Sequence, residues 1–370
     1  VSLEFIGLIG PQESSESQAP RGPGVDLAFI KAFAQAQEYA GFDQALLAVN
    51  TSAADSMILA SYVAAHTEKL GLLVAHRPGF QAPTFAARQF ATLDQLSRGR
   101  AAINVITGAD SGDLQRDGDF LDKDARYART EEYLDVFKQV WTANEPFSHQ
   151  GTHYRVEDNL TLVKPVQQPH VPIYFSGASD AAVEAAAKHA DVYMMWGEPL
   201  ENIHERIAQV RKAAARYGRE KHIRFSLSLR PILGATEEQA WARAERILQD
   251  ARVLHDQRKG KRRELNTGKN NAGSQRLVDI AAQKSVHDTR LWTGIAELTG
   301  AAGNSTSLVG TADQVAEAAL EYYKLGVSTF LFRGFDQLRD AVEYGQELLP
   351  RIRQRVAELE SPVYAVKSAR

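Results

Sequence analysis

No cysteine occurs in the 370 residues of this chain. That excludes a disulfide framework, a thiolate nucleophile and thiolate metal sites, and it agrees with a reducing compartment. An excess of either charge is also lacking. The 43 Lys and Arg nearly balance the 46 Asp and Glu, leaving −3, so no bulk electrostatic surface for nucleic acid or membrane is expected. Apolar runs stay well short of the about 20 residues that a membrane helix needs. The opening VSLEFIGLIG has no basic stretch ahead of its apolar residues and reads as a first strand, not a signal peptide. A cytoplasmic protein is the expectation. Familiar catalytic signatures are missing too: no H-E-x-x-H, G-x-S-x-G or Walker sequence occurs. His149 and His153 are four apart but flank Gly151 in a hairpin-like segment, so no metal site is expected.

What is present is a regular beat of apolar strands and amphipathic helices. Thr84–Gly108, TFAARQFATLDQLSRGRAAINVITG, shows one unit of it. Ala87, Phe90, Ala91, Leu93 and Leu96 recur at helical spacing. Ser97-Arg98-Gly99-Arg100 stops that helix, with Gly99 where a left-handed residue is usual. The run from Ala101 to Gly108 is then too short for a second helix and reads as a buried parallel strand. The other strands expected are Leu3–Gly10, Asp43–Asn50, Leu70–His76, Pro172–Gly177, Val192–Gly197, Ile223–Leu233 and Val327–Gly334. Helices are expected over Asp26–Gly41, Asp55–Thr67, Arg126–Ala143, Ser179–Ala190, Glu201–Gly218, Thr236–Asp256, Ala312–Gly326 and Gln337–Glu358.

Two segments break the rhythm. One, 147–172, follows the fourth helix and carries hairpin signals; the other, 258–307, precedes the last strand and begins with a basic, Gly/Asn-rich run. Setting both aside leaves eight strand–helix units with no linker between them. The expected fold is α/β: a single (β/α)8 TIM barrel over residues 1–370 with these two insertions, the second a mobile loop or lid. A doubly wound open sheet is the alternative, but its G-x-G-x-x-G turn is absent after the first strand.

A barrel places its chemistry at strand C-termini. Those positions hold Asn50, His76-Arg77, Asn104 with Thr107-Gly108, Ser176-Gly177-Ala178-Ser179, Trp196-Gly197, Arg230 and Arg333. Ser176–Ser179 reads as a phosphate cradle at a helix start, and equally as a simple N-cap. Arg126-Tyr127 could reach the same phosphate or be a surface Arg beside a core Tyr. Asn104 is an amide in an apolar run and needs partners, from a ligand heterocycle or from a neighbouring strand. In Arg224–Arg230 the alternation puts Ser226, Ser228 and Arg230 on one face.

The chain resembles the bacterial-luciferase-like flavin monooxygenases, closest to the two-component alkanesulfonate monooxygenases. The likeness runs from the first strand to the last helix. It is strongest in AARQFATLDQLSRGRAAINVITG, at Arg126-Tyr127, in PIYFSGASDAA and in Trp196-Gly197-Glu198-Pro199. The resemblance implies reduced FMN taken transiently from a flavin reductase, and O2 used to oxygenate a small substrate. It would set the flavin near Val49 and Asn50 with Asn104 beside the ring system. Arg126, Tyr127, Ser176 and Ser179 would hold the phosphate. Since a reduced flavin reacts with O2 itself, the protein need only orient, desolvate and shield it. A homodimer or homotetramer is also implied, and the second insertion matches the family's mobile loop.

The substrate positions depart from that pattern. The relatives' Arg and His on the seventh strand are Ser228 and Arg230 here. An Arg after the mobile loop is Thr299, a Tyr and a His after the last strand are Phe335 and Gln337, and a Cys after the second strand is Ala54. Trp196 is retained, and Arg230 and Arg333 appear nearby, so Trp196, Arg230 and Arg333 are the expected catalytic set. The substrate is then a small, possibly anionic organosulfur or related compound. A deazaflavin-dependent oxidoreductase without O2 insertion and a non-catalytic flavin-binding barrel are the competing readings.

Overall fold

The computed structural model describes residues 2–108, 111–259, 272–301, 303 and 305–361. Eight parallel strands form a closed barrel: β1 (Glu4–Ile9), β2 (Gln44–Leu47), β3 (Gly71–His76), β4 (Ala101–Val105), β7 (Ile173–Ser176), β8 (Val192–Trp196), β9 (Arg224–Leu229) and β14 (Val327–Phe332). All eight lie inside the apolar runs read from the sequence. Around the ring the order is β1-β14-β9-β8-β7-β4-β3-β2, closed by Glu4↔Thr329, Phe5↔Phe330 and Ile6↔Leu331. Between strands run α1 (Leu27–Ala40), α2 (Ser56–His66), α3 (Pro83–Leu96), the short α4 (Ser111–Arg116), α5 (Lys123–Thr142), α6 (Asp180–His189), α7 (Leu200–Ala215) and α8 (Glu237–Lys259). The last units use α11 (Ala312–Lys324), α12 (Gln337–Glu343) and α13 (Leu349–Glu360). A π-helical turn, Tyr344–Leu348, joins the final two. Pro350 has no N–H to give the ordinary ladder, and the Leu349 N–H reaches back to the Tyr344 carbonyl.

The period-2 alternation of each strand divides the core. Phe5, Phe330 and Phe332 face the helices, while Ile6, Leu73, Ala102, Tyr174, Val192, Met194 and Leu331 fill the barrel axis. At the strand N-termini Arg224 donates to Glu4 at 2.9 Å and Gln44 to the Tyr174 hydroxyl at 2.8 Å. The barrel is thus plugged from below.

The insertion 147–172 carries the antiparallel hairpin β5 (Phe147–Gln150) with β6 (Arg155–Asn159). The second insertion departs from a plain loop. Residues 260–271, most of the basic run, lie outside the described residues. Beyond them α9 (Ala272–Gln283) and α10 (Gly294–Thr299) pack Leu277, Ile280, Ala296 and Ala301 together. The expected strand Ile223–Leu233 is two strands. β10 (Ile232–Leu233) leaves the barrel after Arg230-Pro231 and joins β13 (Ser307–Gly310), β12 (Leu291–Trp292) and β11 (Val286–His287) in a small second sheet. Proline cannot donate to a ladder, which fits the break at that point.

The turn after α3 is held by two polar groups, the buried Asp94 and the half-buried Arg100. Arg98 (φ 58°) and Gly99 (φ 82°) are both left-handed, and the Gly99 N–H reaches the Asp94 carbonyl at 2.8 Å. So the left-handed stretch begins one residue earlier than expected, at an Arg. The Arg100 guanidinium donates to the carbonyls of Ala64, Thr67, Leu70 and Ser97, sewing the end of α2 to this turn. Asp94, 0% exposed, accepts from the backbone of Val166 (2.7 Å) and Gln167 (3.0 Å) and from the Gln167 side chain (2.7 Å).

Asp94→Ala should therefore strand several buried donors and cost about 3 kcal/mol or more. Thermal unfolding should show Tm lowered by several degrees, with Asp94→Asn milder because it keeps one acceptor oxygen. An unchanged Tm in Asp94→Ala would contradict this reading of the turn.

Candidate active site

Two residues beyond Ala102, Tyr174, Met194, the buried Ser226 and Leu331, the same inward face reaches the open end of the barrel. Ala102 is followed by Asn104, Tyr174 by Ser176, Met194 by Trp196, Ser226 by Ser228 and Leu331 by Arg333. These five line a cavity of about 460 Å³ at the strand C-termini, within the range of small-molecule and cofactor sites. Its floor is apolar, with Leu8, Leu46, Ile106, Met194 and Leu331.

One side of the cavity is built by the elements after β4 and β7. The helix carrying Arg126 and Tyr127 starts one turn earlier than expected, because Asp122 caps it by accepting from the Ala125 N–H at 2.8 Å. Arg126 is 3% exposed. It donates to the Leu121 carbonyl at 2.6 Å and lies 3.5 Å from Ser111 Oγ, but its buried Nε has no partner. Among the described residues no carboxylate lies within ion-pair distance of it. A buried guanidinium in that state has donors to spare.

Ser179 caps α6 through the Ala182 N–H at 3.4 Å, and its hydroxyl stands 3.5 Å from the Tyr127 hydroxyl. It lines the cavity as well, so the two readings of this Ser coexist. Burial pushes the Tyr127 phenol up, leaving it a neutral donor at ordinary pH. Gly177 lets the backbone approach closely: at φ 153° a Cβ there would fall 2.6 Å from Ala182 Cβ and 3.2 Å from the Tyr127 hydroxyl. Ser176 Oγ donates to the Asn104 side-chain oxygen at 3.0 Å, which directs the Asn104 amide N–H groups elsewhere. Asn104 thus has both a neighbouring-strand partner and free donors facing the cavity.

The opposite side belongs to β14, four strands around the ring from β4. Arg333 lines the cavity there and donates to Glu16 at 2.7 Å. Between the two sides, Glu198 is fixed by Arg276 of α9 through contacts of 2.9 and 2.5 Å, and the Tyr322 hydroxyl donates to its backbone carbonyl at 2.9 Å.

Val49, Asn104, Arg126, Tyr127, Ser176, Ser179, Trp196 and Arg333 all line the cavity; Asn50 and Arg230 do not. Asn50 is exposed and its side-chain oxygen accepts from the Ser52 N–H at 2.9 Å, an Asx turn that keeps it in its own loop. Arg230 is 0% exposed. It pairs with Glu16, donates to the Gly334 carbonyl at 2.9 Å and stacks 3.4 Å over the Phe335 ring. The alternation that put it in line with Ser226 and Ser228 ends at Leu229, where the strand ends. Of the other expected mouth residues, Gly108, Gly177 and Ala178 line the cavity, whereas His76 and Arg77 turn away. Arg77 pairs with Asp113 and Asp117, and His76 packs edge-on to Phe90 and shares a 2.7 Å hydrogen bond with the Tyr133 hydroxyl. Glu16, Arg206 and Arg276 had no motif to mark them, being placed by the β1–α1 loop, by the middle of α7 and by the second insertion, while Glu198 lay inside the Trp196–Pro199 motif without being read as a site residue.

Among the described residues no cluster of three or more His, Asp or Glu could hold a metal ion, and no helix is long and apolar enough to cross a membrane.

A closed eight-stranded parallel barrel with its cavity at the strand C-termini defines a (β/α)8 protein of the enzyme type. The family model for luciferase-like monooxygenases matches residues 4–329, and the chain belongs to that family. Solved structures share its fold at low identity. One is a riboflavin lyase with modified FMN and riboflavin (TM-score 0.76, 17% identity, covering 96% of this chain and 92% of that one). Another is a long-chain alkane monooxygenase (0.76, 20%, 96% and 92%). A third is the coenzyme F420-dependent tetrahydromethanopterin reductase of Methanopyrus kandleri (0.69, 17%, 95% and 100%).

His76 gives this region a pH dependence. Burial drives its imidazole down from 6.5 to about 4, with Asp55 opposing weakly. The unfolded chain therefore takes up a proton at higher pH than the folded one. The resulting stability is fully present above pH 6.5 and is lost as the pH falls toward 4. His76→Gln, which keeps a hydrogen-bonding group, should flatten the fall of Tm across that window. An acid limb as steep as in the wild type would assign it to other groups.

Proposed function

We propose that the chain is a two-component FMNH2-dependent monooxygenase. It takes reduced FMN from a separate flavin reductase and uses O2 to oxygenate a small organosulfur, sulfonate-like or related compound. The observation that carries this reading is Arg126: a buried guanidinium with an unpartnered Nε, beside the hydroxyls of Tyr127, Ser176 and Ser179. Such a set suits a phosphate, to which charge-assisted and hydroxyl donors converge at a helix start. The group fits. The cavity has the volume for it, and Gly177 clears the approach that a Cβ would obstruct.

In this reading Arg126, Tyr127, Ser176 and Ser179 hold the phosphate. Asn104, oriented by Ser176, presents amide donors to the polar edge of the ring system, and Val49 covers it. Bound reduced FMN supplies the electrons that activate O2. The chain's own contribution is to bind, orient and exclude water, through the apolar floor and Trp196, so that the cofactor's chemistry is spent on the substrate. A transient reductase partner and a homodimeric or homotetrameric state rest on the family resemblance alone, and cytoplasmic residence on the composition.

One observation favours a second reading. Past Ser179 the cavity meets an outer groove of about 510 Å³ bordered by three cationic residues, Lys123, Arg206 and Arg276, and two carboxylates, Asp124 and Asp180. A deazaflavin whose anionic tail continues beyond the phosphate would use that groove, with hydride transfer and no O2.

The deciding experiment is substrate-dependent O2 uptake with FMN, a flavin reductase and a panel of alkanesulfonates, with sulfite release followed. Uptake with sulfite is the expected result, and Arg126→Ala should weaken FMN binding about tenfold or more. Uptake with an aldehyde or ketone but no sulfite would remove the sulfonate substrate and leave the monooxygenase. Turnover with reduced deazaflavin and no uptake would replace the reading altogether.

A further inference from the structure

The charges on the β14 side of the cavity do not balance. Glu16, in the loop between β1 and α1, accepts from Arg230 and from Arg333. Two guanidinium groups thus share one carboxylate, and among the described residues no second carboxylate lies within ion-pair distance of either Arg. Arg230 has no exposed surface, and its remaining donors go to the backbone carbonyls of Gly334 and Arg333. Arg333 differs. It lines the cavity, its side chain is 22% exposed, and its buried Nε has no partner. One positive charge therefore stands uncompensated in a largely enclosed place, which is costly unless an anion joins it. Beside Arg333 the cavity wall carries Leu8 of β1, Leu331 of its own strand β14 and the hydroxyl of Ser228 on β9, two leucines against which a short apolar stem can lie.

We propose that Arg333 and Glu16 form a subsite that selects a monoanionic substrate head, a sulfonate or carboxylate on a short apolar stem. Arg333 contacts the head. Glu16 is a positioning residue: anchored by Arg230, it orients the Arg333 fork and reduces the local charge from two to one. Glu16 stays ionised for this task, because the two guanidinium groups overcome the effect of burial and hold it near 2. The proposal deepens the monooxygenase reading, and rests on it only in treating the bound anion as the substrate.

Calorimetric titration of the full chain, flavin-free and FMN-loaded, tests it with propane-1-sulfonate, propylphosphonate and butan-1-ol at pH 8.5. The first two have the same tetrahedral shape but carry about one and two charges. Wild type should bind the sulfonate at least tenfold more tightly than the phosphonate or the alcohol. Arg333→Gln should lose that affinity tenfold or more, whereas Arg88→Gln, on the exposed face of α3, should retain it. Glu16→Gln should shift the sulfonate-to-phosphonate ratio tenfold toward the phosphonate, a change that loss of structural support alone would not cause. Equal binding of sulfonate and alcohol, or a sulfonate affinity indifferent to Arg333→Gln, would overturn the proposal. Should Glu16→Gln fail to fold, a wild type that prefers the phosphonate overturns it equally. If FMN fails to bind while the flavin-free chain behaves as expected, the flavin reading falls and the anion subsite stands.

Discussion

Closure of the barrel is the constraint on which the rest depends. Pairing Phe5 with Phe330 and Ile6 with Leu331 joins the first strand to the last, and the ring this makes has no edge. It also forces eight strand C-termini to converge on one opening. Every inward residue then has a fixed depth. Ala102, Tyr174, Val192, Met194 and Leu331 are deep enough to plug the axis, and the next inward positions, Asn104, Ser176, Trp196 and Arg333, necessarily line the mouth. The site is a consequence of register: a slip of one residue in β4 would turn Asn104 into the helix layer and bring an aliphatic neighbour to the cavity.

The mouth is divided electrostatically by the same ring. β4 and β7 lead into helices whose first turns bring Arg126, Tyr127 and Ser179 to one side, while β9 and β14 carry Arg230 and Arg333 to the other. On the first side Arg126 has no carboxylate within ion-pair distance among the described residues; on the second, two guanidinium groups share Glu16. The apolar floor between them weakens the screening that water would provide. The cavity thus offers positive charge at both sides and an apolar middle. The one carboxylate among its described lining residues, Glu198, is already committed to Arg276. That pair also pins α9, and with it the second insertion, to the rim of the barrel.

Much of this was readable from the sequence, for a physical reason. A buried parallel strand must be almost wholly apolar, so VITG- and YFSG-like runs announce both the strand and its polar mouth; Asn104 stands out inside the apolar run Ala101–Ile106, and Ser176 closes the strand that begins at Ile173. The glycine and hydroxyl residues of Ser176–Ser179 combine a cap with a close backbone approach, and both needs are visible in four letters. Arg230 was misjudged because alternation was extended one residue past the strand, where Pro231 lets the chain turn toward Glu16 instead. Asn50 was misplaced by a loop whose local Asx turn outweighs the pull of the cavity. Glu16, in a stretch of Ser, Gln and Pro, could not have been found, since its partner charges lie more than two hundred residues away. The second sheet was missed for a related reason: two-residue strands leave no periodic trace.

The central claim is that the strand mouth is a flavin site anchored by its phosphate end. Fluorescence titration of FMN against riboflavin, which lacks the phosphate, tests this most directly because no turnover or substrate is needed. The account predicts that FMN binds at least about tenfold more tightly than riboflavin, the advantage of several charge-assisted hydrogen bonds around Arg126. Equal dissociation constants for the two would contradict it.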